Sequence, residues 1–376
     1  MAPGKYSLKY MKKDKPSSLY GKENINTLYK KEKNKISINI LLTVGIFSVL
    51  FVLFVINLIF INRRQEIIKS GEFSGVSVPT DIKEGVFKRL DALETNEEKF
   101  KKLIEEIEKV SKTVGDESDD DSADVETTDV KKDEKKSDAV EVGKGTYAVY
   151  IKILGSGEEF KYNEDRDFFG ASLFKAPLAV AALKNIEGET ITLKTQFKIT
   201  KEDILEGSGV LQKEEPGTEV SVERLLEELI RSSDNTAQSV FQRNLSIKSQ
   251  KEAFDLSKEA TKTSKFFSEN VTDPKEVSVF LETTDTEDYL NVKSKIYLYK
   301  LMIKTKFDDR INIHLKKPLQ YAHKIGNWPE TGSWHDCGIV FGTNKKAVVC
   351  IMSEGTTYES FLDISELLAY FINGLF

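Results

Sequence analysis

Ser172-Leu173-Phe174-Lys175 is the one Ser-x-x-Lys in the chain. On a helix, positions three apart share a face, so the Lys175 amine can sit against the Ser172 hydroxyl. A serine at its ordinary pKa is a poor nucleophile, and an adjacent amine held partly neutral can take its proton. A helix N-terminus adds free backbone N–H groups and a positive dipole end where an oxyanion would form. The surrounding FFGASLFKAPLAVAAL opens an apolar helix after two strand-like segments. By itself the quartet reads equally well as a capped helix carrying a solvated lysine.

Two further motifs follow in order. Ser233-Asp234-Asn235 stands 61 residues after Ser172, in ELIRSSDNTAQ. Its first hydroxyl can relay a proton towards a leaving nitrogen, and the Asn235 amide can hold a substrate carbonyl and the lysine. Asp234 is expected to brace the turn. Lys324-Ile325-Gly326 comes 91 residues after Ser233, in YAHKIGNWPETG. A strand lysine there adds positive charge for an anionic substrate, and Gly326 would let substrate approach the backbone closely.

All three motifs together resemble the penicillin-recognising serine enzymes, the class A β-lactamases and the D,D-peptidases of cell-wall synthesis. The likeness spans about 145–376 and includes GSGVLQ (207–212), VTDPKEVSVFL (271–281) and HDCGIV (335–340). It implies Ser172 as acylated nucleophile, Lys175 as its activating partner, Ser233 as proton relay and Asn235 as substrate holder. It also implies Lys324 as electrostatic anchor and an oxyanion hole at the backbone N–H groups of Ser172 and Asn327.

This chain departs from the family pattern at two points. Ile325 stands where the family usually has Thr or Ser, whose hydroxyl binds the substrate carboxylate. The stretch between the second and third motifs is short and lacks the E-x-x-L-N pattern that carries the deacylating Glu of class A enzymes. Glu259 and Glu269 lie in the region, but neither is assigned. Without such a base an acyl-enzyme should persist, because unaided water is a poor nucleophile.

The elements around these motifs read as an α+β fold. GTYAVYIKIL (145–154) and EEFKYN (158–163) alternate like two strands joined at Gly155-Ser156-Gly157. WHDCGIVFG and KKAVVCIMSEG form a second hairpin, and 358–373 a closing amphipathic helix. Strands at both ends and helices between imply a β-lactamase-like antiparallel sheet packed with a helical subdomain over 143–376. A tight loop centred on Thr343 and Asn344 sets Cys337 opposite Cys350. Directly opposed residues share a face, so the two either close a disulfide or pack as buried thiols.

Composition narrows the function classes. The 376-residue chain has 55 Lys plus Arg against 61 Asp plus Glu, a net charge of −6, which argues against a general nucleic-acid binder. With Cys337 and Cys350 its only cysteines, it is neither a disulfide mini-scaffold nor a multi-cysteine zinc module. The three histidines, His314, His323 and His335, lack H-E-x-x-H spacing, so no metal and no cofactor is expected.

The first 142 residues are organised differently. Residues 38–61 run 24 positions without a charge, enough to cross a bilayer as a signal-anchor helix. The tail 1–37 carries ten lysines against Asp14, Glu23 and Glu32, so the positive-inside rule keeps it cytoplasmic and exports the rest. A spacer over 62–115 contains Val86, Leu90, Leu93, Phe100, Ile104 and Ile107 at a 3–4 spacing broken by Glu97. That stripe is either the seam of a weak dimer through 86–110 or a helix lying on the domain. Residues 116–142, with twelve acids and four lysines, read as a self-repelling disordered linker.

The expectation is therefore a plasma-membrane-anchored serine hydrolase with its catalytic domain outside the cell. Three readings stay open: a β-lactamase acting slowly on β-lactams, a D,D-peptidase-like enzyme acting on peptidoglycan stem peptides, and a non-catalytic wall-binding module. The intact Ser172, Lys175, Ser233, Asn235 and Lys324 disfavour the third.

Overall fold

A computed structural model describes residues 80–113, 145–258, 264–286 and 288–376. The tail, the run 38–61 expected to span a membrane and the acidic stretch 116–142 expected to be a linker lie outside the described residues. Among the described residues no helix is long and apolar enough to cross a membrane.

Five antiparallel strands form the central sheet: β1 (Thr146–Leu154), β2 (Glu159–Tyr162), β3 (Gln320–Trp328), β4 (Ser333–Phe341) and β5 (Lys346–Glu354), in the order β2-β1-β5-β4-β3. β1 and β5 are inner strands covered on both faces, and both are buried over nearly their whole length. Their sequences are accordingly apolar runs rather than half-polar alternations. The β4/β5 hairpin pairs Phe341 with Lys346 and Cys337 with Cys350, and the two cysteines are disulfide-bonded. The expected register is borne out, and of the two outcomes for the cysteines the covalent one is found.

Side chains on one face of the sheet, among them Ala148, Ile339, Val348 and Met352, pack on the helical layer. At its centre is α3 (Lys175–Glu187), whose first nine residues are all buried. Around it lie α4 (Val222–Arg231), α5 (Asn235–Asn244), α6 (Ile247–Phe254), α7 (Pro274–Thr286) and α8 (Val292–Ile303). Side chains on the other face, including Val149, Ile151, Val340 and Ile351, pack on α9 (Tyr358–Leu375). Thr357 caps that helix by accepting from the Ser360 amide at 3.2 Å.

One assignment changes. The segment read as a spacer outside the 143–376 domain contributes two helices, α1 (Thr80–Asp91) and α2 (Asn96–Thr113), to the same compact unit. Val86, Leu90, Phe100, Leu103 and Ile107 are buried in the core beneath α9. The Phe100 ring lies 5.5 Å from both Phe160 and Phe371, and the Lys83 ammonium pairs with Asp363 at 2.5 Å and Glu366 at 2.7 Å. The stripe thus lies on the domain. A 3.6-residue period marks an apolar face without saying which surface covers it.

Candidate active site

Between Ala171 and Leu183, Ser172 is the one residue not fully buried. It sits in a 3-10 turn, Ala171–Phe174, that runs directly into α3. Ala171 holds a positive φ of 46°, a rare conformation for a residue with a Cβ. The strain is held from outside the turn: the Gly170 amide donates to the Asn270 carbonyl at 2.7 Å, and Asn270 Nδ2 donates to the Ala171 carbonyl at 2.9 Å. His335 Nε2 lies 2.8 Å from the Phe169 carbonyl, and His335 Nδ1 accepts from the Ser353 amide. That pattern fixes the neutral tautomer with the proton on Nε2. Burial holds His335 down at about 4, which fits.

Lys175 is 1% exposed. Its Nζ lies 2.7 Å from Ser172 Oγ, 2.8 Å from the Ser233 carbonyl, 3.3 Å from Ser233 Oγ and 2.7 Å from Asn235 Oδ1. Burial lowers Lys175 to about 7, against the opposing pull of the Asp234 carboxylate. A neutral amine has a lone pair, so at neutral pH a fraction of Lys175 can accept the Ser172 proton across that 2.7 Å contact.

Ser233 comes from the α4–α5 connection, and Asn235 opens α5. Ser233 has φ +53°, and Asp234 caps α5 through Oδ1, which accepts from the Ala237 amide at 2.8 Å. Asp234 Oδ2 accepts from the amides of Val210 and Leu211 at 2.6 and 2.8 Å. Asp234 therefore ties the 205–213 loop to the turn. A Cβ on Gly209, itself at φ +107°, would lie only 2.1 Å from that carboxylate. Asn235 accepts from Lys175 and donates from Nδ2 to the Glu206 carbonyl at 2.9 Å.

The third motif lies on β3, the edge strand. Lys324 is 2% exposed and reaches Ser233 Oγ and the Ile325 carbonyl, both at 2.9 Å. Burial, then the nearby Lys175, then Arg310 hold its amine well below the usual lysine range. A Cβ on Gly326 would lie 2.9 Å from the Gly170 carbonyl and 3.3 Å from Leu173 Cγ. The room expected for substrate is taken up instead by the nucleophile turn, which this glycine allows to come close. Ile325 is buried and stands in register with Asp336 on the face turned away from Lys324. Asp336 lies 2.7 Å from His323 Nδ1. Burial opposes the charged imidazole, yet the Asp336 and Asp308 carboxylates outweigh it and raise His323 to about 9.

Ser172, Lys175, Ser233, Asn235 and Lys324 are thus one hydrogen-bonded group, with Gly326 and Asn327 on the adjoining strand. Glu269 is exposed on the turn before Asn270, and Glu259 lies outside the described residues. Among the described residues no carboxylate hydrogen-bonds to Ser172, Lys175 or Ser233. Sequence reasoning missed Asn270, His335 and Arg310. Arg310 is buried and donates to the His335 carbonyl and to Asn327 Oδ1, each at 2.6 Å. Asn270 directly follows Glu269, and an amide beside an exposed carboxylate carries no signal of its own in the sequence.

A family model described as "Beta-lactamase enzyme family" matches residues 132–369. Among solved structures, the chain resembles PBP-A at 21% identity and TM-score 0.55, over 61% of this chain and 89% of that one. It resembles a β-lactamase from Sphaerobacter thermophilus at 21% identity and TM-score 0.55, over 63% and 94%. An ancestral class A β-lactamase is similar at 23% identity and TM-score 0.56, over 62% and 95%. No curated protein sequence matches the chain.

Proposed function

The chain belongs to the β-lactamase enzyme family, and on that footing we propose that it forms an acyl-enzyme on Ser172 with β-lactams and releases it slowly. The observation that carries this reading is the 2.7 Å approach of a buried, pKa-lowered Lys175 to Ser172 Oγ. Neutral Lys175 takes the hydroxyl proton as Oγ attacks the lactam carbonyl. The backbone N–H groups of Ser172 and Asn327 receive the oxyanion. The lone pairs of Ser233 Oγ face Lys175 and Lys324, which leaves its own proton to donate to the lactam nitrogen as the C–N bond breaks. Lys175 then returns a proton to Ser233. Water must later cleave the ester, and among the described residues no carboxylate bonded to Ser172, Lys175 or Ser233 is at hand to activate it.

That last observation favours a second reading, a D,D-peptidase-like enzyme using the same acylation on peptidoglycan stem peptides. A PBP-A mutant of 22% identity is described as an acyl-enzyme with penicillin G. The uncharged 38–61 run and its basic flank support anchoring in the plasma membrane with the catalytic domain outside. Intact-mass spectrometry after penicillin exposure, followed over time, tests the proposal. A persistent adduct that Ser172→Ala abolishes is expected. Rapid turnover would reject slow release, and no adduct at all would reject acyl transfer.

A further inference from the structure

The face of β3 turned away from Lys324 carries a buried imidazole between two carboxylates. His323 and Asp336 are both fully buried, and His323 Nδ1 lies 2.7 Å from Asp336 Oδ1. His323 Nε2 lies 3.6 Å from Oδ1 of the half-exposed Asp308. Tyr321 stacks on the imidazole, with ring centroids 4.5 Å apart.

The neighbouring elements supply the charges around it. Asp336 comes from β4, Tyr321 from β3 itself, and Asp308 from the segment before β3, with Asp309 and Arg310 beside it. α9 closes this face with Tyr358 and Phe361, whose rings lie under the Arg310 guanidinium, and Tyr358 donates to Asp309 at 2.5 Å. A carboxylate at each ring nitrogen favours the doubly protonated imidazolium, because each N–H then points at an anion. The pairing is mutual: His323 holds the Asp308 carboxyl below its usual range.

Loss of the Nε2 proton would turn a donor into a lone pair facing Asp308. Attraction there becomes repulsion, while Nδ1–H still serves Asp336. Two residues beyond Asp308, Arg310 donates to Asn327 Oδ1 and to the His335 carbonyl. Asn327 supplies one of the two N–H groups assigned to the oxyanion. The charge on His323 thus reaches the site through two short links.

We propose that His323 is a positioning residue: its imidazolium pins Asp308, which keeps Arg310 on Asn327, and alkaline solution slows acylation by releasing that pin. The inference rests on the acyl-transfer reading of Ser172, and thermal unfolding separates the two. For the full chain in detergent, benzylpenicillin acylation should fall about tenfold or more between pH 8 and 10.5, the scale of a small misplacement at a reacting centre. Its midpoint should lie near 9. His323→Gln should show the lowered rate already at pH 8 and no alkaline limb. Asp308→Asn should move the midpoint down by about one unit or more. A limb unmoved in both variants, or no limb in the natural chain, overturns the proposal. Where His323→Gln does not fold, the milder Asp308→Asn decides alone.

Stability reads the same pin without chemistry. His323 rises from 6.5 to about 9, so its contribution is complete below 6.5 and is lost as pH climbs through 9. The melting temperature of the full chain should therefore fall more steeply between pH 7.5 and 10 than that of either variant. That difference supports the pin even where an absent adduct has rejected acyl transfer. Melting temperatures that fall in parallel overturn it.

Discussion

Lys175 and Lys324 approach one acceptor from two elements: their side-chain nitrogens lie 3.3 and 2.9 Å from Ser233 Oγ. Two buried ammonium groups around one hydroxyl repel each other, and burial alone already disfavours both charges. The arrangement therefore favours releasing a proton from this pair at neutral pH, and Lys175 is the member in contact with Ser172.

Acylation should follow the neutral fraction of Lys175. With its amine at about 7, the rate should rise with pH and level off above that value, falling about tenfold per unit below it. Lys175→Ala should lower the rate by several orders of magnitude and remove this limb. Stopped-flow acylation across pH 5 to 9 measures it; a flat profile would assign the proton to another group.

Asp234 should matter for both stability and pH response. Asp234→Ala strips the acceptor from three backbone amides, at a cost of about 2–4 kcal/mol in chemical denaturation. Its carboxylate also raises Lys175, so Asp234→Asn should move the acylation midpoint to lower pH. An upward move would contradict the electrostatic account.

The helical pair at 80–113 should be part of the folded unit. A fragment beginning at residue 143 uncovers Phe160 and Phe371, and should melt lower than one beginning at residue 75, or aggregate. In the full chain, Phe100→Ala should cost about 3–4 kcal/mol, as for other buried aromatic truncations. Equal melting temperatures for the two fragments would show the pair to be dispensable.

The Cys337–Cys350 bond should be detectable chemically. Thiol titration of the denatured, unreduced protein should find no free thiol, and two after reduction. Replacing both cysteines with alanine should lower stability by about 3 kcal/mol, the loop-closure value for a separation of 13 residues.

The sequence by itself determined the features that depend on local spacing. Ser172 and Lys175 meet because they are three apart at a helix start, and Cys337 opposes Cys350 because a two-residue loop sets the register of a hairpin. The short apolar runs in 145–154 and 334–342, each bounded by turn residues, are likewise legible as strands, because a strand covered on both faces needs apolar side chains on both. Tertiary structure alone decided what surrounds these features. Asn270 holds the Ala171 carbonyl from 99 residues away, His335 holds the Phe169 carbonyl from 166, and nothing in either residue's neighbours signals the contact. Phe169 meets Trp328 only once the edge strand is laid against the nucleophile turn. The lowered pKa of Lys175 arises the same way: desolvation depends on what the whole chain packs around an amine, and spacing along the chain carries no record of that.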